Sequence, residues 1–100
     1  MKPVFEISLS TIKADKLLRF INDTEIKGKE EILNYMKNAK SCGVSSATVV
    51  DVFTGEDTGI VKHCYADQEY GWTSDTIYYF EKYNLALDKG FIHHVLDKRR

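Results

Sequence analysis

Eight of the twelve aromatic residues fall between Tyr65 and Phe91. They are Tyr65, Tyr70, Trp72, Tyr78, Tyr79, Phe80, Tyr83 and Phe91. A chain of 100 residues folds around a single hydrophobic core, so this stretch dominates whatever core forms. The same stretch begins acidic, with Asp67, Glu69 and Asp75 and no Lys or Arg between them. Tyr and Trp supply broad contact area with few rotatable bonds, which suits cores and protein interfaces alike. Both uses stay open for Tyr70 and Tyr78, whereas Tyr79, Phe80 and Tyr83 read as core.

With 43% hydrophobic residues, 29% charged residues and one proline, there is enough apolar surface to offset chain entropy. One globular domain over residues 1–100 is expected. No apolar run approaches the roughly 20 residues that cross a bilayer. The opening MKPVFEISLS lacks the apolar core and cleavage site of a signal peptide. Cys42 and Cys64 then read as buried thiols of a cytoplasmic protein.

Taken in order, residues 4–9 alternate weakly and suit a short strand or an extended lead-in. A helix near 11–22 follows from Ser10 and Thr11 as caps and from the Ala14, Leu17, Leu18, Ile21 stripe. A second, near 29–41, has Glu30 and Glu31 in its first turn, Lys37 and Lys40 in its last, and Gly43 as its left-handed stop. Residues 47–65 read as a β-hairpin, since ATVVDVF and IVKHCY are rich in β-branched residues around a Thr54–Gly59 turn. A short helix capped by Ser45, with Val49, Val50 and Phe53 on one face, is the alternative. Ser74 and Asp75 open a helix near 74–84. Asp88 caps a last helix near 88–97, with Lys98, Arg99 and Arg100 at its negative end. The expected class is therefore α+β and helix-dominant, with four helices and one small hairpin.

Catalytic signals are sparse. His63 with Cys64, and His93 with His94, are adjacent pairs, and neighbours on a strand or helix point apart. Each pair offers one metal ligand at most, short of the two-to-four-residue spacing of zinc sites. No nucleophile elbow, phosphate loop or zinc-protease spacing occurs. No catalytic residue, metal or cofactor is expected. A small metal-dependent enzyme using His63, Cys64 and His93 is the lesser alternative.

Charge is uneven. Asp51, Glu56, Asp57, Asp67, Glu69 and Asp75 stand against Lys62 alone, so residues 51–75 carry −5 within a net charge of −1. Phosphates need positive charge, so this middle disfavours nucleic acid and suits a basic protein partner. The expected docking surface is Glu56, Asp57, Asp67, Glu69, Tyr70, Trp72, Asp75 and Tyr78, rings anchoring and carboxylates steering. A solvated acidic loop region is the plainer account of the same charges.

The stretch DQEYGWTSDTIYY, with Glu56 and Asp57, resembles bacterial immunity proteins in type, including those paired with contact-dependent-inhibition toxins. That resemblance covers about a quarter of the chain and implies a non-enzymatic inhibitor. Such a protein would bind a cognate toxin, often a basic nuclease domain, and block its active site or an exosite. A protein-interaction or regulatory protein of a phage or mobile element would use the same surface on another partner.

Overall fold

The computed structural model describes residues 2–24 and 26–97. The fold is an α+β domain in which helices share the chain nearly evenly with a four-stranded mixed sheet. The expected helix dominance is thus overturned, because the sheet is far larger than one hairpin. Strands β1 (Lys2–Pro3), β2 (Lys40–Val50), β3 (Asp57–Ala66) and β4 (Tyr70–Thr73) lie in the order β1-β4-β3-β2. β2, β3 and β4 form an antiparallel meander, and β1 adds in parallel against β4.

The hairpin reading of 47–65 is correct in kind but too short. β-branched residues continue the extended conformation only if the chain before them can extend too, and the small residues Ser41–Ala47 do so. Gly43 consequently lies in β2 opposite Cys64, not at a helix end. The second helix, α2 (Lys29–Lys37), stops early because the Asn38 side chain folds back, its Nδ2 donating to the Asn34 carbonyl at 2.7 Å. β4 escaped notice because it is four residues long and contains Gly71.

The first expected helix shrinks to α1 (Ala14–Leu17) and a 3-10 turn at Leu18–Phe20. Ser10 and Thr11 make no cap, and Lys13 holds the N-cap position without a side-chain bond. Leu17 is fully buried while Leu18 is 63% exposed, so the expected four-residue stripe does not face one way. Ile21 instead bridges to Leu85. The later helices agree better: α3 (Ser74–Tyr83) ends on Asn84 at φ 60°, and α4 (Lys89–Asp97) starts where Asp88 Oδ2 accepts from the Phe91 amide at 3.1 Å. Lys98, Arg99 and Arg100 lie outside the described residues.

Helices α2, α3 and α4 pack together on one face of the sheet. Between them Ile32, Met36, Tyr79, Phe80, Phe91 and Val95 are buried, with Leu17 and Val4 closing the ends. Phe91 has no exposed surface and its ring lies 5.2 Å from those of both Tyr70 and Trp72. Phe91→Ala should therefore cost about 3–5 kcal/mol of stability, read as a lower urea midpoint at unchanged slope.

Candidate functional site

Two carboxylates organise the region expected to be a docking patch, and both face inward. Asp51 begins the β2–β3 connection and is 1% exposed. Its Oδ1 accepts from the backbone amides of Phe53 (2.8 Å) and Thr54 (3.2 Å), which shapes the turn. Its Oδ2 accepts from the hydroxyls of Tyr78 (2.6 Å) and Tyr83 (2.5 Å) on α3. Tyr79 completes the clamp, donating to the Val50 carbonyl and accepting from the Val52 amide, each at 3.0 Å. Lys82 Nζ stands 3.8 Å from Asp51 and over the rings of Tyr78 and Tyr83.

Asp67 repeats the arrangement at the β3–β4 turn. Oδ1 accepts from the amides of Glu69 (2.7 Å) and Tyr70 (2.6 Å). Oδ2 meets the Tyr35 hydroxyl of α2 at 2.5 Å and His94 Nε2 of α4 at 2.9 Å. A Tyr–Asp–His trio beside a cleft has the parts of a proton-transfer site. Here His94 Nε2 is taken by Asp67, and Nδ1 lies 3.6 Å from Glu69, so a carboxylate stands at each ring nitrogen. A general base needs a nitrogen aimed at substrate. The trio instead joins two helices to one turn.

These bonds set the titration behaviour. Burial alone would raise the Asp51 pKa, but the hydroxyls of Tyr78 and Tyr83 and the two turn amides hold it below the ordinary carboxylate value. Burial likewise opposes a larger lowering at Asp67 by Tyr35, the Tyr70 and Glu69 amides and His94. Reciprocally, burial and the Asp51 bond push Tyr78 and Tyr83 up to about 12. Tyr35 is raised further by burial and Asp67, and Tyr79 is raised by burial.

The expected surface residues are therefore not one surface. Tyr70 and Trp72 are 6% and 5% exposed, and Trp72 Nε1 donates to the Met36 carbonyl at 3.2 Å, a core bond. Asp75 is buried in the first turn of α3. Its Oδ2 lies 3.5 Å from both Lys62 Nζ and Ser10 Oγ, and its Oδ1 has no hydrogen-bond partner among the described residues. Tyr78 and Asp67 are spent on the turn clamps. Only Glu56, Asp57 and Glu69 remain exposed. Glu69 follows the far end of β3 from Asp57, roughly 30 Å along the strand. Asp57 accepts from Thr48 Oγ1 (2.8 Å) and the Gly59 amide (2.9 Å), which lower its pKa. Asp51 and Asp67 turn inward because tyrosine hydroxyls and turn amides of the same fold, with His94 at Asp67, supply their hydrogen bonds.

Sequence reading passed over Asp51, Tyr35 and His94 as a set. One signal was available: Asp51 and Asp67 each open a turn (DVFTGE, DQEY), where Asp locks amides two and three residues on. Among the described residues no group of three or more His, Cys, Asp or Glu is placed to hold a metal ion. His63 contacts Ser41 and Tyr65 on one sheet face, and Cys64 lines the other. Cys42 and Cys64 are both exposed, against the expectation that they are buried.

What the fold leaves open is the β2 edge. Lys40–Ala47 is exposed throughout, and among the described residues no strand pairs with its outer side. Val44 is 68% exposed and Val50 47%, with Ile60 and Val61 at 41% and 44% on the adjoining strand. No described helix is long and apolar enough to cross a membrane. Comparison with protein families, with characterised proteins and with solved structures finds no match to this chain.

Two outcomes follow from the clamps. A lowered carboxylate pKa contributes stability above the ordinary value near 4 and loses it as pH falls through the folded value. Urea midpoints should thus drop below about pH 4, and drop less steeply in Asp51→Asn and Asp67→Asn, which start lower at pH 7. In alkaline titration followed by phenolate absorbance, four of the six tyrosines should lag behind free tyrosine, and Asp51→Asn should bring two of them forward.

Proposed function

We propose that this chain is a non-catalytic, cytoplasmic protein-binding domain that captures an extended segment of another protein along β2. The observation carrying this reading is the strand itself. From Ser41 to Val50 there is no charged residue and no proline, yet β2 ends the sheet and most of it is exposed. Edge strands are ordinarily blunted by charge, proline or bulges, because free amides and carbonyls invite another strand. Three register shifts twist the β2–β3 ladder, Ser45 Oγ accepts from the Ala47 amide and Ser41 Oγ donates to the Gly43 carbonyl, and between Ser41 and Val50 neither charge nor proline guards the rest. Added strands gain main-chain hydrogen bonds for affinity and read side chains through alternate positions.

Charge defines the occupant. Lys40 marks one end of β2, and Asp57, paired with Val50, marks the other beside Glu56. The segment that fits is uncharged and β-branched over its centre, basic where it passes Glu56 and Asp57, and acidic beside Lys40. Neutralisation of a basic bacterial toxin is the narrower form of this proposal. It draws on Glu56 and Asp57, the two acids of the expected patch that stay exposed together. The non-catalytic reading is supported by Asp51, Asp67 and His94, the most engaged polar groups, being committed to turns and helices.

Selection from a random peptide display library tests the proposal. Selected peptides should be extended and uncharged at the centre, and should slow amide hydrogen exchange within 41–47. Val44→Lys, at an exposed position the fold tolerates, should weaken them at least tenfold, about 1.4 kcal/mol. Protection away from β2, or unchanged affinity in Val44→Lys, overturns the reading. A dimer that Val44→Lys dissolves would overturn the choice of a foreign partner in favour of a second copy.

A further inference from the structure

The β2–β3 ladder brings the two cysteines together. Ser41 pairs with Tyr65 and Gly43 with Cys64, so two steps on β2 match one on β3, and Cys42 is the extra residue of a bulge. At such a bulge two successive residues oppose one partner. Here Cys42 and Gly43 both oppose Cys64. Ser41 lies on the other face, where its hydroxyl meets His63 Nδ1 at 3.2 Å. Cys42 and Cys64 share the opposite face, lining one cleft of about 480 Å³ between the sheet and residues 5–10. Directly opposed antiparallel residues have Cα atoms about 4.5–5.5 Å apart. Disulfides span Cα separations of about 4.4–6.8 Å. A Cβ placed on Gly43 would meet nothing within 4 Å apart from its chain neighbours, so no side chain crowds the bulge beside Cys42. Both thiols are free and exposed.

We propose that Cys42 and Cys64 form a redox site that closes reversibly to an intramolecular disulfide across the β2–β3 bulge. The oxidant class is a low-molecular-weight disulfide. One cysteine thiolate attacks it, forming a mixed disulfide and expelling one small thiolate. The second cysteine loses its proton and attacks the protein-side sulfur, expelling the other. Two protein thiols are oxidised, one small disulfide is reduced to two thiols, and the two cysteine protons leave with them. His63 takes no part, since it lies across the sheet. The finished bond is a covalent rung between β2 and β3, so the hairpin no longer unzips from its open end. This inference stands on strand register alone and does not depend on the partner proposed for β2.

Reduced full-length protein is equilibrated in glutathione buffers of graded disulfide content, natively and in guanidinium. Samples are then quenched with acid, alkylated with N-ethylmaleimide and weighed intact. The expected product is a monomer two hydrogens lighter, with no glutathione and no maleimide, whose digest joins Cys42 to Cys64. Native protein should close at a glutathione disulfide ratio at least tenfold lower than the unfolded chain. Cys42→Ser and Cys64→Ser should each stop at one glutathione adduct. Stable adducts on both cysteines of the native protein, disulfide-linked dimers in place of the internal bond, or equal closure folded and unfolded would each overturn the proposal.

Discussion

A carboxylate that accepts four hydrogen bonds is the interaction on which this fold depends, and it is used twice, fully buried at Asp51 and partly buried at Asp67. At Asp51 and again at Asp67 one oxygen shapes a turn through two backbone amides, while the other takes donors from the helical layer. A buried anion is costly unless it is fully satisfied. Once satisfied, it ties sheet to helices at a fixed place, because every donor must reach one atom pair. The meander is held at each of its two turns in this way. β3, between them, is the strand both clamps share.

This explains how aromatic and acidic residues came to be so close in sequence. Tyr78 and Tyr83 lie on α3 because Asp51 needs two hydroxyls on one helix face. Tyr70 and Trp72 alternate inward on β4, with Tyr65 opposite Trp72. Lys82 adds its ammonium over the rings of Tyr78 and Tyr83, 3.8 Å from Asp51. Composition alone has the look of a binding face, since phenol and carboxylate are also what interfaces use. Direction decides between the two, and direction comes from the strand alternation of β4, a strand too short to announce itself.

Much of the helical layer was legible. α3 and α4 follow apolar spacing and, at Asp88, a working cap, so local rules and the final packing agree there. α1 illustrates the opposite case. Its four apolar positions fit a helix, yet the pairing of Ile21 with Leu85 draws the chain into an extended conformation within a few residues. Ser41–Ala47 carried little strand signal because Val44 is its one β-branched residue, among glycine and alanine that strands disfavour; cross-strand pairing with β3 makes the stretch extended. Of the expected site, Glu56 and Asp57 stand where a turn tip would place them. Asp67, Tyr70, Trp72, Asp75 and Tyr78 were unreadable without knowing which face of each element the core would claim.

The two margins of the sheet are unlike. One is β2, eleven residues long, and the other is β1, two residues ending in Pro3, which has no amide hydrogen to offer. Growth by lateral stacking requires both margins to accept a neighbour. Among the described residues only the β2 margin is long enough to take a full strand, so side-by-side pairing through this sheet favours one companion over an open stack.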